Sequence, residues 1–103
     1  MAGLLEKAKP ARLATRLKRP VLSNRGRCPA CRREVTFVSR EAWLRNHYLC
    51  PSCGSLPRER ALMSVLAAYH PSWRDLVIHE SSPEPRGASQ CLATECGQYI
   101  PSH

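Results

Sequence analysis

Residues 28–54 read CPACRREVTFVSREAWLRNHYLCPSCG, so that Cys28-x-x-Cys31 and Cys50-x-x-Cys53 stand with 18 residues between the pairs. Each pair sets two sulfurs on one tight turn. Two such turns brought together by a hairpin supply the four corners of a tetrahedron around Zn²⁺. Gly54 closes the second turn and is free to take the positive φ that folds backbone N–H groups back toward the thiolates. The first turn lacks that glycine and is followed by Arg32 and Arg33, whose charge is expected to offset the net charge of about −2 on a zinc tetrathiolate.

Other uses of four cysteines fit less well. The N-terminus carries charge through its first 19 residues with no apolar core before a cleavage site, which argues against a secretory leader and an oxidised disulfide framework. A thioredoxin-like dithiol needs one Cys-x-x-Cys at a helix N-terminus rather than two matched turns. Iron in a rubredoxin-like cage has the same ligand spacing and stays open beside zinc. His47, three residues before Cys50, reads as a solvated strand residue.

Working outward, Val35 and Phe37 read as a strand and His47 to Leu49 as its return, giving the hairpin of a zinc ribbon over residues 27–54. A segment of this size buries too little apolar surface to fold alone, so metal binding must supply much of its folding free energy. Upstream, residues 1–26 form a basic arm expected to be largely disordered, with a short helix opening at Pro10. Residues 1–27 hold eight Lys or Arg against Glu6, a net of +7, within a chain total of +8. A basic tail on a nearly neutral body points to an anionic partner for the arm. That leaves a nucleic-acid-associated ribbon, or a protein-docking adaptor ribbon, as alternative functions. The Arg-rich arm also keeps organellar targeting open beside the expected cytoplasmic location. No apolar run approaches the ~20 residues of a membrane-spanning helix.

Downstream, over residues 55–103, the period changes. Leu62, Val65, Leu66 and Tyr69 fall at i, i+3, i+4 and i+7, one apolar face of a helix. Ser55 is placed to cap it, Pro57 suits its first turn and Pro71 ends it. Arg58 and Arg60 sit in that first turn against the helix dipole, which marks them as candidate anion-binding residues. Leu76-Val77-Ile78-His79 follows as a short buried strand, Ser89 to Cys96 as a crossover helix and Tyr99-Ile100 as the start of a second strand. Cys91 and Cys96 are five apart and point about 140° away from each other on a helix. They read as half-buried thiols rather than as a second metal site with His79.

The paired cysteines, the run Cys53-Gly-Ser-Leu-Pro-Arg-Glu-Arg60, the helix, and the strand ending in His79-Glu80-Ser81-Ser82-Pro83 together resemble the N-terminal portion of S-adenosylmethionine-dependent methyltransferase-like proteins. In that family a four-cysteine ribbon leads into a class I Rossmann-like domain. The resemblance covers residues 28 to about 103. It implies a small, zinc-stabilised α+β chain: ribbon, amphipathic helix and the first βα element of an incomplete Rossmann-like domain, truncated relative to the family. Glu80 matches the acidic residue at the end of the family's first strand and is the candidate for S-adenosylmethionine contact. The glycines that usually follow are replaced, with Ser82 and Glu84 in their places. With the remaining βαβ units missing, the resemblance implies no catalytic residues and no methyl transfer by this chain alone.

Overall fold

A computed structural model describes residues 19–103. Strand β1 (Leu22–Arg27) pairs antiparallel with β2 (Glu34–Ser39), in register from Leu22 opposite Ser39 to Arg27 opposite Glu34. The first cysteine turn is the loop of this hairpin. Leu22, Asn24 and Gly26 lie on the same face as Ser39, Phe37 and Val35, while Arg25 and Arg27 are exposed.

The expected arm, residues 1–26, ends in a strand from Leu22; the helix expected from Pro10 lies outside the described residues. The return to β2 is also not the 47–49 segment, which makes only one bridge, Val38 to Leu49, with N···O distances of 3.2 and 3.1 Å. The reason is the turn at Leu44–Asn46. The amides of His47 and Tyr48 both donate to the Leu44 carbonyl, at 3.1 and 2.9 Å, and this coils the chain until Leu49. β2 thus has β1 along one edge and a single residue at the other.

Helix α1 (Pro57–Tyr69) starts one residue later than a Ser55 cap would allow. Leu56 is the N-cap, its N–H donating to Glu59 Oε1 at 2.9 Å, and Ser55 is fully buried beneath the turn. The buried face also differs from the apolar stripe read from the sequence. Arg60 and Met63 point inward with Leu66 half-buried, whereas Leu62, Val65 and Tyr69 are 49%, 55% and 78% exposed. The position of Arg60 under the ribbon sets this rotation, because its guanidinium finds acceptors only on that side.

After a turn at Trp73–Asp75, which buries Trp73, come β3 (Val77–Ser81), α2 (Gly87–Glu95) and β4 (Gln98–Ser102). β3 and β4 are parallel, in register from Val77 opposite Gln98 to Ser81 opposite Ser102, and α2 is the crossover. Gly97 makes the α2–β4 connection possible: a Cβ there would lie 2.9 Å from the Asp75 carbonyl. One core joins the two halves. Cys28, Ala30, Val35 and Cys50 of the ribbon cluster with Met63, Trp73, Ala88, Cys91 and Leu92. No helix among the described residues is long and apolar enough to cross a membrane.

Candidate metal centre

The fold brings the two cysteine turns face to face. The sulfurs of Cys28, Cys31, Cys50 and Cys53 all lie within 4.8 Å of one another, with Cys28–Cys53 and Cys31–Cys50 each at 3.8 Å. A tetrahedron with Zn–S bonds of ~2.3 Å has edges of about 3.8 Å, which two of the six S···S separations match, and all six are short enough for the four thiols to share one ion. The four cysteines can bind a metal such as zinc. Four protein ligands close the coordination sphere, which is the pattern of a structural site rather than one that keeps a position for water or substrate.

The turns are built alike. In each, the N–H four residues after the first cysteine donates to that cysteine's carbonyl: Arg32 to Cys28 at 2.7 Å and Gly54 to Cys50 at 2.8 Å. The first cysteine's N–H in turn donates to the carbonyl five residues on, Cys28 to Arg33 at 2.9 Å and Cys50 to Ser55 at 3.1 Å. This geometry needs a left-handed residue at the fourth position, and Gly54 (φ 75°) and Arg32 (φ 62°) both supply it. A side chain in that region costs about 1 kcal/mol or more where glycine costs nothing. Arg32→Gly is therefore expected to be more stable than Arg32→Ala by about 1 kcal/mol in denaturant titrations of the metal-loaded protein. Equal midpoints would show that the backbone at Arg32 carries no strain.

The arginines behind the first turn are each held by a neighbouring side chain. Arg32 pairs with Glu95 of α2 at 2.7 Å, Arg74 reaches the same carboxylate oxygen at 3.2 Å, and Arg33 donates to Ser52 Oγ at 3.1 Å. The Arg32 hydrogen bond is the main cause holding the Glu95 carboxyl below its usual range. The second turn is clasped from the other side. Gly87 N–H donates to the Cys53 carbonyl at 3.0 Å, and Arg86 donates to the Gly54 carbonyl at 3.1 Å and pairs with Glu59 at 2.5 Å. Nothing in the spacing of Arg86, Gly87 or Glu95 marked them as supports for the metal turns, because their partners lie far away in sequence.

Burial pushes the Cys50 thiol up to about 12 and raises that of Cys53. At Cys28 burial also works upward, but hydrogen bonds from Ser55 Oγ, 3.5 Å from the sulfur, and from the backbone of Cys31 and Ala30 outweigh it and bring the thiol down to about 7. Burial thus favours the protonated thiol at Cys50 and Cys53. Full ionisation requires a metal to replace the protons.

The remaining candidates are placed elsewhere. Arg60 is buried, its Nη1 donating to the Ser55 carbonyl and its Nη2 to the Tyr48 carbonyl at 2.7 Å, with the guanidinium 4.6 Å from the Phe37 ring centroid. The expected anion site of Arg58 with Arg60 is thus not formed, since the local backbone carbonyls already occupy the buried guanidinium. Arg58 is exposed and donates to Asn46 Oδ1 at 3.0 Å. Glu80 accepts from Ser89 Oγ at 2.6 Å and from Tyr99 Oη at 2.7 Å, tying β3 to α2 and β4. Burial and this carboxylate push the Tyr99 hydroxyl up to about 12. His47 is exposed, with Nδ1 2.8 Å from the Trp43 carbonyl. Among the described residues, no cluster of three or more metal-ligating groups includes Cys91, Cys96 and His79. Cys91 instead donates to Glu95 Oε2 at 3.2 Å, and burial, then Glu95, raises its thiol to about 11.

No protein-family model, no curated protein and no solved structure matches this chain.

Proposed function

We infer that the chain is a zinc-stabilised module in which Zn²⁺ on Cys28, Cys31, Cys50 and Cys53 holds the ribbon against a βαβ unit. The observation that carries this is the pair of 3.8 Å S···S edges in a cluster whose members all lie within 4.8 Å. Zinc is favoured over iron because the site needs no redox chemistry to do this work, and a d¹⁰ ion accepts four thiolates without geometric preference.

The order ribbon, helix, strand, crossover helix, parallel strand also supports reading the chain as the head of an S-adenosylmethionine-dependent methyltransferase-like protein. Glu80 stands near the carboxyl end of β3, and its two partners, Ser89 and Tyr99, line an open cavity of about 490 Å³ together with Pro83, Glu84 and Pro101. Each Glu80 oxygen has one hydrogen-bond donor and keeps a further lone pair for a cofactor hydroxyl. On this reading the module's own work is structural: the metal fixes the ribbon, and the ribbon fixes the strands and helix that follow it.

Metal analysis under reducing conditions is the test. One zinc per chain is expected, with affinity falling as pH drops below 7. There all four thiols give up a proton to the metal, so each unit of acidification costs up to about 10⁴-fold in apparent affinity. Protein purified without stoichiometric zinc that also fails to take it up at pH 7.5 would overturn the zinc reading.

A further inference from the structure

The outward face of α1 is the largest feature that the metal centre leaves unexplained. Successive residues of a helix are turned by 100°, so Arg58, Leu62, Val65 and Tyr69 form one stripe, with Ala61 and Ala68 along one side of it. All six are exposed. The helix's only acidic residue, Glu59, lies off this stripe and is tied to Arg86. A stripe with three large apolar groups, two small ones and a single cation at one end is a poor solvated surface.

Its spacing identifies what fits it. The steps from Arg58 to Leu62, Val65 and Tyr69 are 4, 3 and 4 residues, which is the seam of a helix pair. Two copies of this seam laid antiparallel about a two-fold axis are complementary position by position. Leu62 of one copy falls opposite Val65 of the other, and Arg58 falls opposite Tyr69. Arg58 uses one nitrogen on Asn46 and keeps the flat face of its guanidinium for an aromatic ring. The alanines beside the seam let the two backbones come close. A two-fold contact requires that each residue meet a partner which meets it in return, and this stripe satisfies the condition with no charge left facing a like charge.

We propose that α1 is a self-association surface, through which two copies of the chain pair antiparallel along Arg58, Leu62, Val65 and Tyr69. The seam is about 16 Å long, shorter than stable dimers use, so a weak, concentration-dependent pairing is expected.

Sedimentation velocity of the zinc-loaded full chain, from about 1 to 300 µM, tests this. The wild-type mass is expected to rise from 11.6 kDa toward twice that value. Leu62→Glu with Val65→Glu, and separately Leu62→Lys with Val65→Lys, change only exposed positions. Each variant alone is expected to stay monomeric with one zinc per chain, and an equimolar mixture of the two to form a heterodimer. A wild type that remains monomeric across the range overturns the proposal and leaves the stripe to a partner other than this chain. A wild-type dimer that persists in both variants also overturns it. Zinc content read on the same samples separates a failed interface from a failed metal site.

Discussion

Chelating the metal, or replacing Cys50 by Ser, is expected to unfold the entire described chain rather than the ribbon alone. Structural zinc contributes about 10–16 kcal/mol of apparent binding free energy at neutral pH, against a total stability of about 5–15 kcal/mol for a domain. The ribbon cannot absorb that loss, because its buried apolar residues are few and two of them are the ligands Cys28 and Cys50. The loss should then spread. Gly87 and Arg86 hold the second turn's carbonyls, Arg32 of the first turn is paired with Glu95, and Trp73 and Leu92 share one cluster with the cysteines. Circular dichroism after chelation should show loss of both helices, and amides of β3 and β4 should lose their protection from hydrogen exchange together with those of β1 and β2. If β3, α2 and β4 stay protected while the hairpin unfolds, the two halves are independent and the shared core is not cooperative.

The second large effect is expected at Arg60. Its guanidinium donates to the Ser55 and Tyr48 carbonyls and lies 4.6 and 5.5 Å from the Phe37 and Tyr48 ring centroids, with the residue only 8% exposed. Arg60→Met keeps volume but leaves two carbonyls short of a donor and removes a charge-assisted fork. A loss of about 3–4 kcal/mol follows, or more than 10 °C in the melting temperature for a chain of this size. Arg60→Lys keeps the charge but cannot reach both carbonyls at once, and should lose about 2 kcal/mol. The Ser55 carbonyl also accepts from Cys50 N–H at 3.1 Å, so Arg60→Met should weaken zinc binding at least tenfold as well. A melting temperature within about 3 °C of wild type would mean that Arg60 can be removed without opening the second cysteine turn.

Arg60 also shows where reading the sequence fell short. In the sequence it is one of two cations in a helix's first turn, and the dipole argument made it a candidate ligand for an outside anion. In the structure it serves inside acceptors: the carbonyls of residues five and twelve positions earlier. The same contact explains the inverted helix face. Leu62, Val65 and Tyr69 have the period of a buried stripe, but a helix has one orientation, and burying Arg60 and Met63 turned that stripe to solvent. The β1 strand was missed for a related reason. LSNRGR has only one large apolar residue and two arginines, so its propensity is weak, and it became a strand because β2 offered it a full row of hydrogen bonds.

The sequence alone determined the ligand set and the nature of its site, because two Cys-x-x-Cys turns impose local geometry within a few residues each, and thiols within such turns have few other roles. It also determined the start of α1 near Pro57, its end before Pro71, and a helix between two short strands, all set by short-range signals. Only the tertiary structure decided which strand completes the hairpin, which face of α1 is inside, and that Arg86, Gly87 and Glu95 brace the metal turns. Those choices depend on contacts between residues far apart in the chain, whose energies no local pattern of residues encodes.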